Sequence, residues 1–135
     1  MMVKELSQAA NVSADSVRYY TRIGLLKPER DRNNGYKLFT DTDVKRLRFI
    51  RRAQSLGYTL AEIQHILDHA HSGKSPCPLV RDIIRKRIED NRVKLDELKA
   101  LQERMENALQ DWEQRGDGVP DGDTVCYLID LAGEE

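Results

Sequence analysis

The sequence predicts an all-α chain with one small β-hairpin: a winged helix-turn-helix head followed by a long coiled-coil helix. Three observations lead there. Short amphipathic segments separated by turn residues fill the first half. An Asn34-Gly35 pair stands where a hairpin would turn. After Pro78, no helix breaker occurs until Gly116. Composition agrees, since 135 residues with 33% charged, 39% apolar and 6% aromatic side chains suit one small helical domain plus an assembly element. No apolar run approaches the roughly 20 residues needed to span a bilayer. The start, Met1-Met2-Val3-Lys4-Glu5-Leu6-Ser7, lacks a signal peptide's layout, so no membrane association and a cytoplasmic location are expected. The two cysteines then read as reactive or ligand thiols rather than a disulfide framework.

Val3, Leu6 and Ala10 lie at helical spacing and predict a short first helix that breaks at Asn11-Val12. Ser13 is a good N-cap for a second, running through Val17-Arg18-Tyr19-Tyr20 and stopping at Gly24. Two short helices joined by a tight turn make a helix-turn-helix. Asn34-Gly35 supplies the positive φ angles of a type I′ turn, predicting a basic hairpin wing over Arg32–Phe39. Asp41 or Thr42 is expected to cap a third helix through Leu47, Ile50 and Ala53 to Gly57. Thr59-Leu60-Ala61-Glu62 reads as a capping box opening a fourth, with Ile63, Ile66 and Leu67 as its apolar stripe.

The long helix carries Ile84, Ile88, Asn91, Leu95, Leu98, Gln102, Met105, Leu109 and Trp112 at alternating steps of three and four. At about 57 Å for some 38 residues it cannot stand alone in water. Its heptads need a partner of matching length, and the chain offers none, so a homodimer is expected. The division is 1–72 winged helix-turn-helix head, 73–78 linker, 79–115 dimerisation helix, and 116–135 C-terminal loop with a short helix.

The net charge of −1 conceals an asymmetry: residues 1–74 hold 13 Lys/Arg against 8 Asp/Glu, and residues 75–135 hold 9 against 15. A basic front half suits a polyanion. A recognition helix in the major groove would present its early positions, Ala14, Asp15, Ser16 and Arg18, with Tyr19 and Tyr20 beside them. Adjacent tyrosines diverge by about 100°, so one is expected in the core and one outside. The wing adds Arg30, Arg32, Tyr36 and Lys37 for phosphates. For Arg46, Arg48, Arg51 and Arg52, a solvated face fits as well as phosphate contact.

The order of Val17-Arg18-Tyr19-Tyr20, Gly24-Leu25-Leu26, Asn34-Gly35-Tyr36-Lys37-Leu38-Phe39, Leu47-Arg48-Phe49-Ile50-Arg51-Arg52-Ala53 and Leu56-Gly57-Tyr58-Thr59-Leu60 resembles the MerR family of transcription regulators. The resemblance implies a dimer held by a long antiparallel helix and bound to a palindromic operator in promoter DNA. Effector binding there twists the DNA so that RNA polymerase can use the promoter, turning repressor into activator. Arg18, Tyr19, Tyr20, Tyr36 and Lys37 match positions that hold the operator.

Cys77 precedes Pro78, a favoured first helical residue, which puts its thiol at the positive end of the long helix. Cys126 opens the last short helix. If the helices pair antiparallel, Cys77 of one copy falls beside Cys126 of the other. The resemblance extends here to the metal-sensing branch of the family and implies a thiophilic divalent effector: mercury, cadmium, lead or zinc. One departure is that the loop cysteine usual about eight residues before Cys126 is absent, the region reading Asp117-Gly118-Val119-Pro120. Two thiolates suit linear mercury, whereas tetrahedral zinc would need donors from Asp117, Asp121, Asp123 or His71. His65 and His69, spaced i, i+4, read more readily as surface histidines than as a metal clamp.

Two alternatives stand beside this reading. The same cysteines suit a redox or electrophile sensor. A coiled-coil adaptor that binds no DNA would show no steep salt dependence. No enzyme is expected, because the chain has no phosphate-cradling Gly motif, nucleophile elbow or paired-carboxylate signature.

Overall fold

Two short helices joined by a three-residue turn open the chain, α1 (Val3–Ala10) and α2 (Ala14–Arg22). The computed structural model describes residues 1–132, so the last three positions of the expected segment 116–135 lie outside the described residues. Helix α1 ends on Asn11 in the left-handed conformation, φ 54° and ψ 47°, which Asn tolerates better than most residues. Ser13 caps α2, its side chain accepting from the Ser16 N–H at 3.1 Å. Gly24, at φ 88°, turns the chain so that Leu25 and Leu26 are both buried.

The wing is wider than the sequence predicts. Strands β1 (Glu29–Arg30) and β2 (Lys37–Leu38) pair antiparallel with Glu29 opposite Leu38 and Arg30 opposite Lys37. A type I′ turn needs positive φ at both central residues, but here Gly35 has it (φ 73°) and Asn34 does not. Asp31 organises the loop instead. Its Oδ1 accepts from the Asn33 and Asn34 N–H groups, its carbonyl from Gly35, and its N–H donates to the Tyr36 carbonyl at 2.8 Å.

Helix α3 (Asp41–Ser55) starts one or two residues earlier than expected, because Thr40 is its N-cap, the Thr40 N–H donating to Asp43 Oδ2 at 2.9 Å and leaving Asp41 and Thr42 in the first turn. Helix α4 (Leu60–His71) has the expected box: the Glu62 N–H donates to Thr59 Oγ1 at 3.1 Å, and the Thr59 N–H to Glu62 Oε1 at 2.8 Å. Leu6, Val17, Leu25, Leu26, Phe39, Leu47, Ile50 and Ile63 are fully buried at the centre of the head. Each contributes about 1.5–3 kcal/mol by leaving water.

The long helix α5 (Cys77–Trp112) begins inside the stretch expected as the 73–78 linker and ends short of 115. The reason lies in its first turns. Leu79, Val80, Ile83 and Ile84 pack on the head's core, the Tyr58 hydroxyl donates to the Val80 carbonyl at 2.8 Å, and Arg87 donates to the Gly57 carbonyl at 3.1 Å. The first compact unit runs over Met1–Arg87, and the second begins at Ile88. Within the second, Ile88, Leu95, Leu98, Met105 and Leu109 are about half exposed or more, from 47% to 64%, leaving the heptad stripe uncovered in a single chain.

The loop after α5 is held by its own side chains. Trp112 Nε1 donates to the Leu128 carbonyl at 3.0 Å and the Tyr127 hydroxyl to the Gly116 carbonyl. Asp121 Oδ1 accepts from the Asp123 and Thr124 N–H groups, both at 2.8 Å. A Cβ at Gly118 would lie 2.5 Å from the Tyr127 ring, so any other residue there would require the ring to shift. The chain closes with α6 (Tyr127–Ala132). No described helix is long and apolar enough to cross a membrane.

The Glu62 carboxyl is held below its ordinary pKa of 4.5, chiefly by the Thr59 N–H, against burial, which raises it, and with the Arg87 guanidinium lowering it further. A depressed carboxyl contributes stability above its unfolded pKa and loses it as pH falls through the folded value. Glu62→Gln is accordingly expected to cost about 1 kcal/mol at pH 7. In urea titrations the deficit should shrink towards zero near pH 3; an equal deficit at both pH values would discount the charge.

Candidate nucleic-acid interface and thiol positions

Helix α2 presents its outer face through residues dictated by its periodicity. Val17 and Tyr20, three apart, both point inward, which settles the tyrosine ambiguity. Tyr20 is 8% exposed and its hydroxyl donates to Gln54 Oε1 at 3.2 Å, so this expected DNA-contact residue is a core residue tying α2 to α3. Tyr19 is the outward one at 41% exposure. The Arg22 guanidinium sits 5.4 Å above its ring, a cation–π contact that holds a cation next to the phenol. Arg22 escaped the sequence reading; its i, i+3 spacing from Tyr19 was the available signal.

Asp15 and Arg18 are both exposed and paired, Nη1 to Oδ1 at 3.0 Å. A pair so open to water is worth little, and Arg18 can exchange it for a phosphate or a base edge. Ser16, half-buried, belongs to the helix start, accepting at its side-chain oxygen from the Ser13 hydroxyl at 2.9 Å. On the wing, Arg32 and Tyr36 are exposed and Lys37 is half-buried on β2. Arg30 Nη1 donates to the Gly35 carbonyl at 3.3 Å, bracing the loop that carries Tyr36.

Both cysteines are free thiols. Cys77 is the exposed first residue of α5, its N–H donating to Ser75 Oγ at 3.4 Å. Cys126 is half-buried just before α6, and its carbonyl accepts from the Asp130 N–H at 3.3 Å. It lines a concavity of about 520 Å³ with Asp117, Asp121, Thr124 and Tyr127. Asp121 is committed to the loop: the Asp123 N–H first, then the Thr124 N–H, hold its carboxyl below the usual carboxylate range. Among the described residues no three His, Cys, Asp or Glu side chains of one chain gather into a metal cage. His65 and His69 stack edge to face at 4.8 Å, and His71 Nε2 lies 3.4 Å from Arg46.

A helix-turn-helix with a braced hairpin wing and an outward face of guanidinium and phenol groups defines a DNA-binding head of the winged helix-turn-helix class. The chain belongs to the MerR family: residues 1–70 match the MerR HTH family regulatory protein, and residues 44–108 match the MerR DNA-binding region. This is a family of DNA-binding regulators, not enzymes. The chain is 36% identical to the mercuric resistance operon regulatory protein of Bacillus cereus, over 84% of this chain and 83% of that protein. In structure it is similar to the transcription regulator PbrR691 from Ralstonia metallidurans in complex with lead(II), at a TM-score of 0.77 and 25% identity, covering 97% of this chain and 98% of that one. It is also similar to MerR from Bacillus megaterium in complex with mercury(II), at 0.57 and 31% identity, covering the same shares, 97% and 98%.

The two tyrosines should separate cleanly under substitution. Tyr19→Ala is expected to weaken duplex DNA binding roughly tenfold while leaving the melting temperature unchanged. Tyr20→Ala should cost about 3 kcal/mol of stability by leaving a cavity. Anisotropy and thermal melts on both variants check this, and the opposite assignment would reverse the pattern.

Proposed function

We propose that the protein is a homodimeric regulator that binds a thiophilic divalent metal through Cys77 of one copy and Cys126 of the other. One observation carries this reading. The only two thiols of the sequence flank α5 in chain order, one opening it and one in the segment that follows it. Antiparallel pairing of α5 with its copy brings unlike ends together, two sites per dimer. The uncovered stripe from Ile88 to Leu109 supports that pairing, since a helix this long gains from burying its apolar side on a partner.

The donors fit a soft metal. Two thiolates satisfy linear mercury, and cadmium, lead or zinc would draw further oxygen donors from Asp117 or Asp123, because Asp121 is occupied in the loop. The mercury and lead complexes of similar proteins support the same class of effector. On DNA, the two heads grip a palindromic operator through Asp15, Ser16, Arg18, Tyr19, Arg32, Tyr36 and Lys37. Bending and untwisting that site costs several kcal/mol, which metal binding redirects to align the promoter for RNA polymerase and convert repression into activation. The exposure of Cys77 favours a second reading, direct oxidation or electrophile capture at that thiol.

Anaerobic titration of the reduced protein with mercury, cadmium, lead and zinc against a chelator tests the site. Tight binding is expected, lost in Cys77→Ser and in Cys126→Ser, and restored when the two variants are exchanged into a mixed dimer, one end of which recovers both thiols. Binding indifferent to either substitution would remove the metal site, and no recovery in the mixed dimer would remove the pairing between copies.

A further inference from the structure

The basic face of α3 lies outside both the recognition helix and the wing. Arg48, Arg51 and Arg52, spaced i, i+3 and i+4, share one side of the helix, and all three are exposed. They meet the end of α1: Arg48 Nη2 donates to the Ala9 carbonyl at 3.4 Å and Arg51 Nη1 to the Ala10 carbonyl at 3.3 Å. Helix α1 has no basic residue in its own last turn, so these guanidiniums supply the cations its negative end favours. Arg48 and Arg51 each spend one of five N–H donors there, and the rest stay open.

Among the described residues, no Asp or Glu pairs with Arg48, Arg51 or Arg52, whereas five other arginines are paired. The three line a shallow concavity of about 470 Å³ with Ala9, Ala10, Asn11 and Ser55, none of them acidic. Like charges at this spacing repel, a cost that a bound anion removes.

We infer that Arg48, Arg51 and Arg52 form a phosphate clasp for the DNA backbone beside the helix-turn-helix. Asn11, in the wall of the concavity, belongs to the turn that leads directly into α2. With the start of α2 in a major groove, the flanking strand would run past this turn, and forked guanidiniums match phosphate oxygens bidentately. The clasp reads no sequence. It sets how firmly each head holds the backbone while the site is deformed.

Salt titrations of the intact protein on a duplex of arbitrary sequence test the clasp. The logarithm of affinity against the logarithm of salt should lose about 0.9 in slope for each phosphate contact removed by Arg48→Gln, Arg51→Gln or Arg52→Gln. Arg51→Lys, which keeps the charge, should keep the slope even if it loosens α1, and Arg46→Gln, on another side of α3, should leave it unchanged. A Gln variant that melts like the parent and keeps the full slope overturns the clasp, as does an equal loss in Arg46→Gln. Loss of poly-glutamate binding with the duplex slope intact would also overturn it, assigning the patch to an acidic protein.

Discussion

The first turns of α5 lay half-buried apolar side chains against the head's core, and much else depends on that contact. Leu79, Val80, Ile83 and Ile84 lie against the cluster centred on Leu47, Ile50 and Ile63, and Tyr58 anchors the Val80 carbonyl from below. Arg87 adds polar ties to Gly57 and Glu62, joining the capping box of α4 to the same helix. Cys77 thus opens a helix whose next turns are part of the DNA-binding unit's own packing.

The recognition helix follows a similar economy. It is nine residues long, and its inner side is spent on Val17 and Tyr20, leaving Arg18, Tyr19 and Arg22 to the outside. Tyr20 ties α2 to α3 through Gln54, and Arg48 and Arg51 tie α1 to the same α3. Helix α3 is therefore the beam on which both helices of the helix-turn-helix are mounted. The wing is braced separately, by Asp31 within its loop and by Arg30 on the Gly35 carbonyl.

The second unit solves a different problem, holding a glycine-rich acidic loop in place without a core of its own. Two aromatic side chains do so through main-chain carbonyls, Trp112 to Leu128 and Tyr127 to Gly116, with Gly118 leaving room for the Tyr127 ring. Asp121, a plausible metal donor by residue type, is instead the acceptor at the centre of the loop's turn. Cys126 is carried on this ordered segment, with Asp117 in the same concavity.

Period and punctuation are local properties, so the sequence alone determined the helices, the Ser13 cap, the Thr59 and Glu62 box, the long helix and the resemblance carried by the head's motifs. The same spacing was enough to single out the two thiols. What it left open turns on contacts between segments distant in the chain. Whether Tyr19 or Tyr20 faces outward depends on Gln54, 34 residues further on. The start of α5 at Cys77, inside the expected linker, depends on a core that wants Leu79 and Val80. The hairpin's width was missed because Asp31 competes for the backbone N–H groups that a tight Asn-Gly turn would leave alone. The gathering of Arg48, Arg51 and Arg52 around the end of α1 was likewise invisible, since a basic helix face acquires a role only when tertiary packing decides what lies beside it.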